Sequence, residues 1–196
     1  MDRPDADAPD RPTPCHPAPG RARREPRAVT AESLRRSALH HLARFSTTEA
    51  RLRQALDRKI ARSVRLYATD TAEARRWAED IVALLRRQGL LDDSAWAARR
   101  ARALQDRGVA RALIQENLRA AGIQAEVAAV AVAALGPATE GDAEAALTFA
   151  RRRRLGPFRP AEQRAPYRLR DLGRMARGGF SYEIARAVID KAEDLD

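Results

Sequence analysis

Between Leu90 and Leu135, apolar positions recur with helical spacing in three short runs separated by breaks. In the first run Ala97, Ala101 and Leu104 share one face, with Trp96 at its edge. Asp92 and Asp93 place acid in its opening turn, where the partial positive charge of a helix N-terminus favours it, and Gly108 closes it. The second puts Ala110, Leu113, Ile114, Leu118 and Ala121 within one arc and Arg111, Gln115, Glu116 and Arg119 within the other, until Gly122. The third places Val127, Val130, Ala131, Ala134 and Leu135 at i, i+3, i+4, i+7 and i+8 before Gly136 and Pro137. The pattern predicts a three-helix unit.

Similar groups flank it. Upstream, a helix from Thr30 carries Leu34, Ala38, Leu42 and Phe45, and Ser46 and Glu49 have capping-box spacing for a second with Leu52, Ala55, Leu56 and Ile60. Thr71 is placed to cap a third, whose stripe is Ala74, Trp77, Ala78, Ile81 and Leu85 before Gly89. Downstream, Thr139 to Leu155 bears Ala143, Ala146, Leu147 and Ala150. A proline-rich loop follows, then a helix with Leu169, Leu172, Met175 and Ala176 up to Gly178 and Gly179, and a last helix capped by Ser181 with Ile184, Ala187 and Val188 inward. Register ties the last two groups together: Leu118, Gly122, Ile123 and Val127 map onto Met175, Gly179, Phe180 and Ile184 at one offset. Trp96-Ala97 maps onto Phe149-Ala150 at an offset four residues smaller, the difference being loop length.

The expectation is an all-α fold of three tandem three-helix repeats forming an elongated curved array. The repeats span residues 30–89, the divergent one, 90–137 and 138–196. Residues 1–29 hold seven prolines and almost no large apolar side chain, and are expected to be a disordered tail. Leu113, Val130, Trp77, Phe180 and Ile184 are expected in the core.

Composition narrows the chemistry. With 44% apolar but only 5% aromatic residues, the helices must pack through Ala and Leu, so each small unit buries little and leans on its neighbours. The single Cys15 excludes an internal disulfide framework, and Cys15 with His16, His40 and His41 makes a poor metal set. The longest apolar run, Val127 to Leu135, is too short to span a bilayer, and the acidic N-terminal stretch lacks the apolar core of a secretory signal; a soluble cytoplasmic protein is expected. No nucleophile–base pair, metal set or phosphate-cradling glycine loop stands out, and Gly178-Gly179-Phe180 follows a helix instead of opening one, so neither enzyme activity nor a cofactor is expected.

Charge adds a location. The formal net charge is +10, and residues 1–30 carry six Arg against five acids, which leaves about +9 on the rest. Lys59 and Lys191 are the only lysines, so the excess is almost all Arg, whose planar fork suits carboxylates and phosphates. Ten Arg stand between Arg151 and Arg177 against Glu162 and Asp171, about +8 in one segment. Two candidate partner-binding features lie there: a helical ridge of Arg170, Arg174 and Arg177 opposite Leu169, Leu172 and Ala176, and the run Arg151, Arg152, Arg153 and Arg154 near a helix C-terminus. Each also reads as a solvated face.

The segments Gly89–Asp93 followed by Trp96-Ala97, then Leu118–Ile123, and Ala176–Ile189 near the C-terminus resemble the RecX regulatory proteins of bacteria, over roughly residues 34–192. The resemblance implies a modulator of the RecA recombinase. Such a protein is curved and all-helical, lies along the groove of the RecA filament on single-stranded DNA and bridges its subunits. It inhibits ATP hydrolysis and strand exchange, and so modulates recombination, DNA repair and the SOS response. A monomer without cofactor fits that role. The alternative is a helical-repeat protein acting directly on single- or double-stranded DNA, although no zinc module, RNA-stacking motif or recognition-helix signature is present.

Overall fold

The computed structural model describes residues 28–67 and 69–191; the expected tail, with Cys15 and His16, lies almost wholly outside them. Among the described residues the regular structure is nine α-helices and one 3₁₀ turn, an all-α fold. They are α1 (Ala31–Arg44), α2 (Glu49–Leu66), α3 (Thr71–Arg87), α4 (Asp93–Gln105), α5 (Arg111–Ala120), α6 (Ala125–Ala133), α7 (Ala138–Arg153), the 3₁₀ turn Gly156–Phe158, α8 (Ala161–Arg177) and α9 (Tyr182–Ile189).

Five of the nine α-helix starts among the described residues are set by side-chain caps. Thr30 accepts from Ser33 N and Ser33 returns the bond, a reciprocal box. Thr48, not Ser46, caps α2 by accepting from Arg51 N, and Asp70, not Thr71, caps α3 through Ala72 N and Glu73 N. Asp92 and Ser181 cap α4 and α9. The stops are also local. The amides of Ile123 and Phe180 reach back to the Leu118 and Met175 carbonyls across Gly122 (φ +84°) and Gly179 (φ +85°), left-handed positions that cost a glycine nothing.

Close helix packing runs within consecutive triplets: α1–α3, α4–α6, and α7–α9 with the 3₁₀ turn. Each triplet has its own core. The first gathers Leu34, Ala38, Leu52, Leu56, Ile60, Val82 and Leu85. Trp96, Ala97, Ala101, Ile114, Leu118 and Ile123 form the second, and Ala146, Ala150, Leu155, Met175, Phe180 and Val188 the third. Ala supplies many of these positions, as the low aromatic content requires.

Two stripes are rotated from the sequence expectation, and in α9 the expected Ala187 is exposed while Ala185 and Ile189 are buried beside Val188. In α6 Val130 is 70% exposed and Ala134 is exposed, while Ala128 and Ala131 are buried. Apart from Glu126 the helix is apolar all round, so periodicity supplies no phase and contact with α4 and α5 sets it. In α8 Leu169 is 78% exposed and Ala176 also faces out; Asp171, Leu172 and Met175 are buried instead. A buried carboxylate takes the place that an apolar residue was expected to fill. Leu113, Trp77 and Ile184 are half-buried at core margins, and Phe180 is buried.

Successive triplets meet at two joints built on one plan. At the first, the end of α5 abuts the start of α2: a Cβ on Gly122 would lie 2.2 Å from Ala50 Cβ, and Thr48 Oγ1 donates to the Ala121 carbonyl at 2.7 Å. At the second, the end of α8 abuts the start of α5, where a Cβ on Gly179 would lie 3.0 Å from Leu113 Cγ and 3.2 Å from Ala110 Cβ. A carboxylate from the following triplet's first helix caps each start. Asp93 Oδ1 accepts from Glu49 N at 2.9 Å, and Asp142 Oδ1 from Arg111 N at 3.4 Å. At the first corner Trp96 Nε1 donates to the Ser46 carbonyl at 3.3 Å; at the second the α7 backbone at Ala145 and Phe149 presses on Gly108, and the Phe149 ring packs on Gly178.

Candidate partner-binding groove

The second joint is not sealed. At its surface lies a groove of about 730 Å³ lined by Arg107, Val109, Leu113, Phe149, Arg152, Arg153, Arg174 and Arg177, with Gly108 and Gly178 at its edges. Three helices end at its margin: α4 just before Arg107, α7 at Arg153 and α8 at Arg177. Each C-terminus carries roughly half an elementary negative charge, about −1.5 for three, against +5 from five guanidinium groups. The arginines therefore exceed what the helix ends need, and the groove keeps a net positive charge of about +3 to +4.

Arg152 Nη1 donates to the Arg107 carbonyl at 3.2 Å, tying the α7 wall to the corner after α4. The Arg153 guanidinium lies 4.6 Å from the centroid of the Phe149 ring, which packs T-shaped on Phe180 at 5.4 Å. Arg174 is half-buried and Arg177 exposed. Among the described residues none of the five forms an ion pair.

Of the residues expected to bind a partner, the groove brings together Arg152 and Arg153 from the run with Arg174 and Arg177 from the ridge. The other three lie elsewhere. Arg151 sits 5.5 Å from the Phe158 ring, Arg154 adopts a left-handed conformation (φ 52°) as the C-cap of α7, and Arg170 lies 5.8 Å from the Tyr167 ring. Sequence reading missed Arg107 and the apolar floor of Val109, Leu113 and Phe149. Arg107 sits in a helix-terminating turn, outside any periodic face, so only the fold brings it to the groove.

Not every arginine of the segment is free of an acidic partner. Arg159 is committed to Asp171 by two bonds, Nε to Oδ2 at 2.6 Å and Nη2 to Oδ1 at 2.8 Å, and Gly156 N donates to the same carboxylate at 3.0 Å. Asp171 is fully buried. Burial works to raise its carboxyl, but the Arg159 and Gly156 hydrogen bonds and the charges of Arg159 and Arg174 hold it below the usual carboxylate range. Arg168 is paired with Asp190 at 2.6 Å.

The class this defines is an all-helical protein of three-helix groups in series, with an arginine-rich groove at a joint. No protein-family model matches the chain. It is 41% identical over 172 residues to the regulatory protein RecX of Myxococcus xanthus, covering 87% of this chain and 91% of that protein. To the regulatory protein RecX of Agrobacterium fabrum it is 31% identical over 175 residues, again 87% and 91%. The fold is shared with a crystal structure of regulatory protein RecX, TM-score 0.58 at 24% identity, covering 82% of this chain and 74% of that one. It is shared too with RecX from Lactobacillus salivarius, TM-score 0.59 at 19% identity over 82% and 94%. The chain belongs to the RecX family of regulatory proteins.

Among the described residues no helix is long and apolar enough to cross a membrane, and no group of three or more His, Cys, Asp or Glu gathers as metal ligands would.

Proposed function

We propose that the chain regulates a RecA-type recombinase by binding its filament on single-stranded DNA and slowing ATP hydrolysis and strand exchange, thereby modulating recombination, DNA repair and the SOS response. The observation that carries this reading is the convergence of Arg107, Arg152, Arg153, Arg174 and Arg177 on one groove, in a chain of a regulatory family. The groove is the main contact, and Arg151, Arg154 and Arg170 lie outside it as a weaker rim. The three triplets act as repeats, residues 30–89, 90–137 and 138–196, each offering a surface to a successive filament subunit. Contacts of modest strength then add through effective concentration. The protein works as a cytoplasmic monomer without cofactor or enzymatic activity.

The test compares binding to naked single-stranded DNA with binding to RecA-coated DNA, and follows ATP hydrolysis by the filament. Preference for coated DNA and slowed hydrolysis at near-stoichiometric amounts support the reading. Equal binding to naked DNA, lost steeply with salt through counterion release, makes the chain a DNA-binding protein instead.

A further inference from the structure

The groove's chemistry separates two kinds of anionic partner. A nucleic-acid strand brings phosphates, which only accept hydrogen bonds, and bases that seek an open aromatic face. Phe149 is a poor platform for a base, because Arg153 covers one face and Phe180 packs against the ring. Helix C-termini at the groove's margin bring partial negative charge, and their last carbonyls, which already accept capping amides, keep a second lone pair that a donor can meet and a phosphate cannot. A peptide brings all that the groove asks for: carboxylates for the arginine forks, backbone N–H groups for the carbonyl ends, and side chains for an apolar floor.

We propose that this groove takes an acidic peptide segment of the partner protein, its carboxylates on Arg107, Arg152, Arg174 and Arg177 and one apolar side chain on Val109, Leu113 and Phe149. The assignment rests on the regulatory reading above and makes the protein component of the filament, not its DNA, what the groove holds. Charge complementarity and the apolar floor together set the class: charge alone would accept any polyanion, and the floor selects one with an aliphatic side chain flanked by acids.

The experiment uses the full chain and three fluorescein-labelled probes: a short synthetic peptide of Asp and Glu around one Leu, the same peptide with Ala for Leu, and a thymidine oligomer of equal charge. Anisotropy titrations are expected to rank them in that order, with the alanine peptide about tenfold weaker than the leucine peptide, the scale of one partly buried leucine. Arg152→Gln with Arg174→Gln weakens the leucine peptide by about tenfold or more, since two charge-assisted contacts are lost. Leu113→Ala narrows the gap between the two peptides, and Val109→Ala serves the same purpose should the first variant lose its helical signal. Equal binding of the two peptides, or an oligomer as tight as the leucine peptide, overturns the proposal. Filament binding by the double arginine variant is measured alongside. If it falls while all three probes bind wild type and variant alike, the peptide assignment fails and the regulatory reading stands; if peptide binding is lost and filament binding is unchanged, the partner does not sit in this groove.

Discussion

The two joints share a geometry and differ in chemistry. In both, a glycine ending one triplet's second helix sits on the start of the previous triplet's second helix, and an aspartate from the next first helix caps that start. At the first joint the capped residue is Glu49, held by Arg53 at 3.1 Å and Arg86 at 3.8 Å; at the second it is Arg111. Two acids thus crowd the first joint, where Thr48 and Trp96 complete a closed set of hydrogen bonds. Arg111 instead reaches across the second to the carbonyls of Val132, Gly136 and Pro137, bracing the connection between triplets while its neighbours line an open groove. Its Nε is buried without a hydrogen-bond partner, 3.6 Å from Asp142 Oδ1. One packing solution is sealed in one place and left as an open groove in the other, and the choice lies in a few side chains at the corner.

The largest effect is expected inside the triplet that supplies the groove's walls. Asp171→Asn removes the charge of a fully buried carboxylate from its pair with the half-buried Arg159 and should cost about 3–4 kcal/mol, read as a lower urea midpoint at neutral pH. Because the folded Asp171 carboxyl titrates below its ordinary value, its stabilisation is complete above about pH 4 and is lost as pH falls through the folded value. The gap between wild type and variant should therefore close in acid; a gap independent of pH would mean that the ionised pair is not what holds this loop.

Joint packing gives the next largest change. Gly122→Ala meets Ala50 at a positive φ and should cost about 3 kcal/mol, from strain of about 1–2 and overpacking of about 1–3. Gly179→Ala faces the flexible Leu113 and should cost about 1–2 kcal/mol, and Gly89→Ala, with nothing near its Cβ, about 1 from strain alone. Thermal melts of the three in parallel rank the joints. Equal costs would show that the first is no tighter than the second.

Replacing Arg170, Arg174 and Arg177 together by Ser is expected to weaken filament binding by about 1–3 kcal/mol, five- to a hundredfold, and less so as salt rises. The matched control is Arg35, Arg58 and Arg62, exposed in the first triplet and away from its joint; Arg51 is unsuitable because it lies over Trp96 at 5.3 Å. Restoring Arg170 alone should recover little, since only the other two line the groove. Equal losses from both triples would reduce the effect to net charge.

Smallest is the change at Asp93. Burial raises its carboxyl, the Glu49 amide draws it down, and the charges of Glu49 and Asp92 add to the rise against Arg53, for a net shift upward. A raised folded value has the opposite sign to that of Asp171: stability falls as pH rises from the ordinary carboxylate range through the folded value. Asp93→Asn, still able to accept from Glu49 N, should flatten that slope without lowering stability at neutral pH. A steeper acid-side slope in the variant would contradict the crowded-carboxylate view of the first joint.

How much of this was legible in the chain follows from the range of the forces involved. Helix existence and most stops were readable, because 3.6-residue periodicity, glycine at left-handed positions and capping side chains act within a few residues. The correspondence of Gly122 with Gly179 was readable too, as a register shared by two segments. Helix phase was readable only where a polar face existed: nearly all-apolar α6 offered none, so its burial of Ala128 over Val130 awaited its neighbours. Asp171 in α8 entered the sequence only as a unit of charge; its burial follows from the fold, which brings Arg159 and the Gly156 amide to it. The basic segment was visible in composition, but its division into paired arginines, rim arginines and a groove was not. Local signals determine which residues share a helix face; which helix ends converge, and so which arginines face one another across a joint, is decided by contacts between residues far apart in the chain, such as Arg107 with Arg152, that no local pattern encodes.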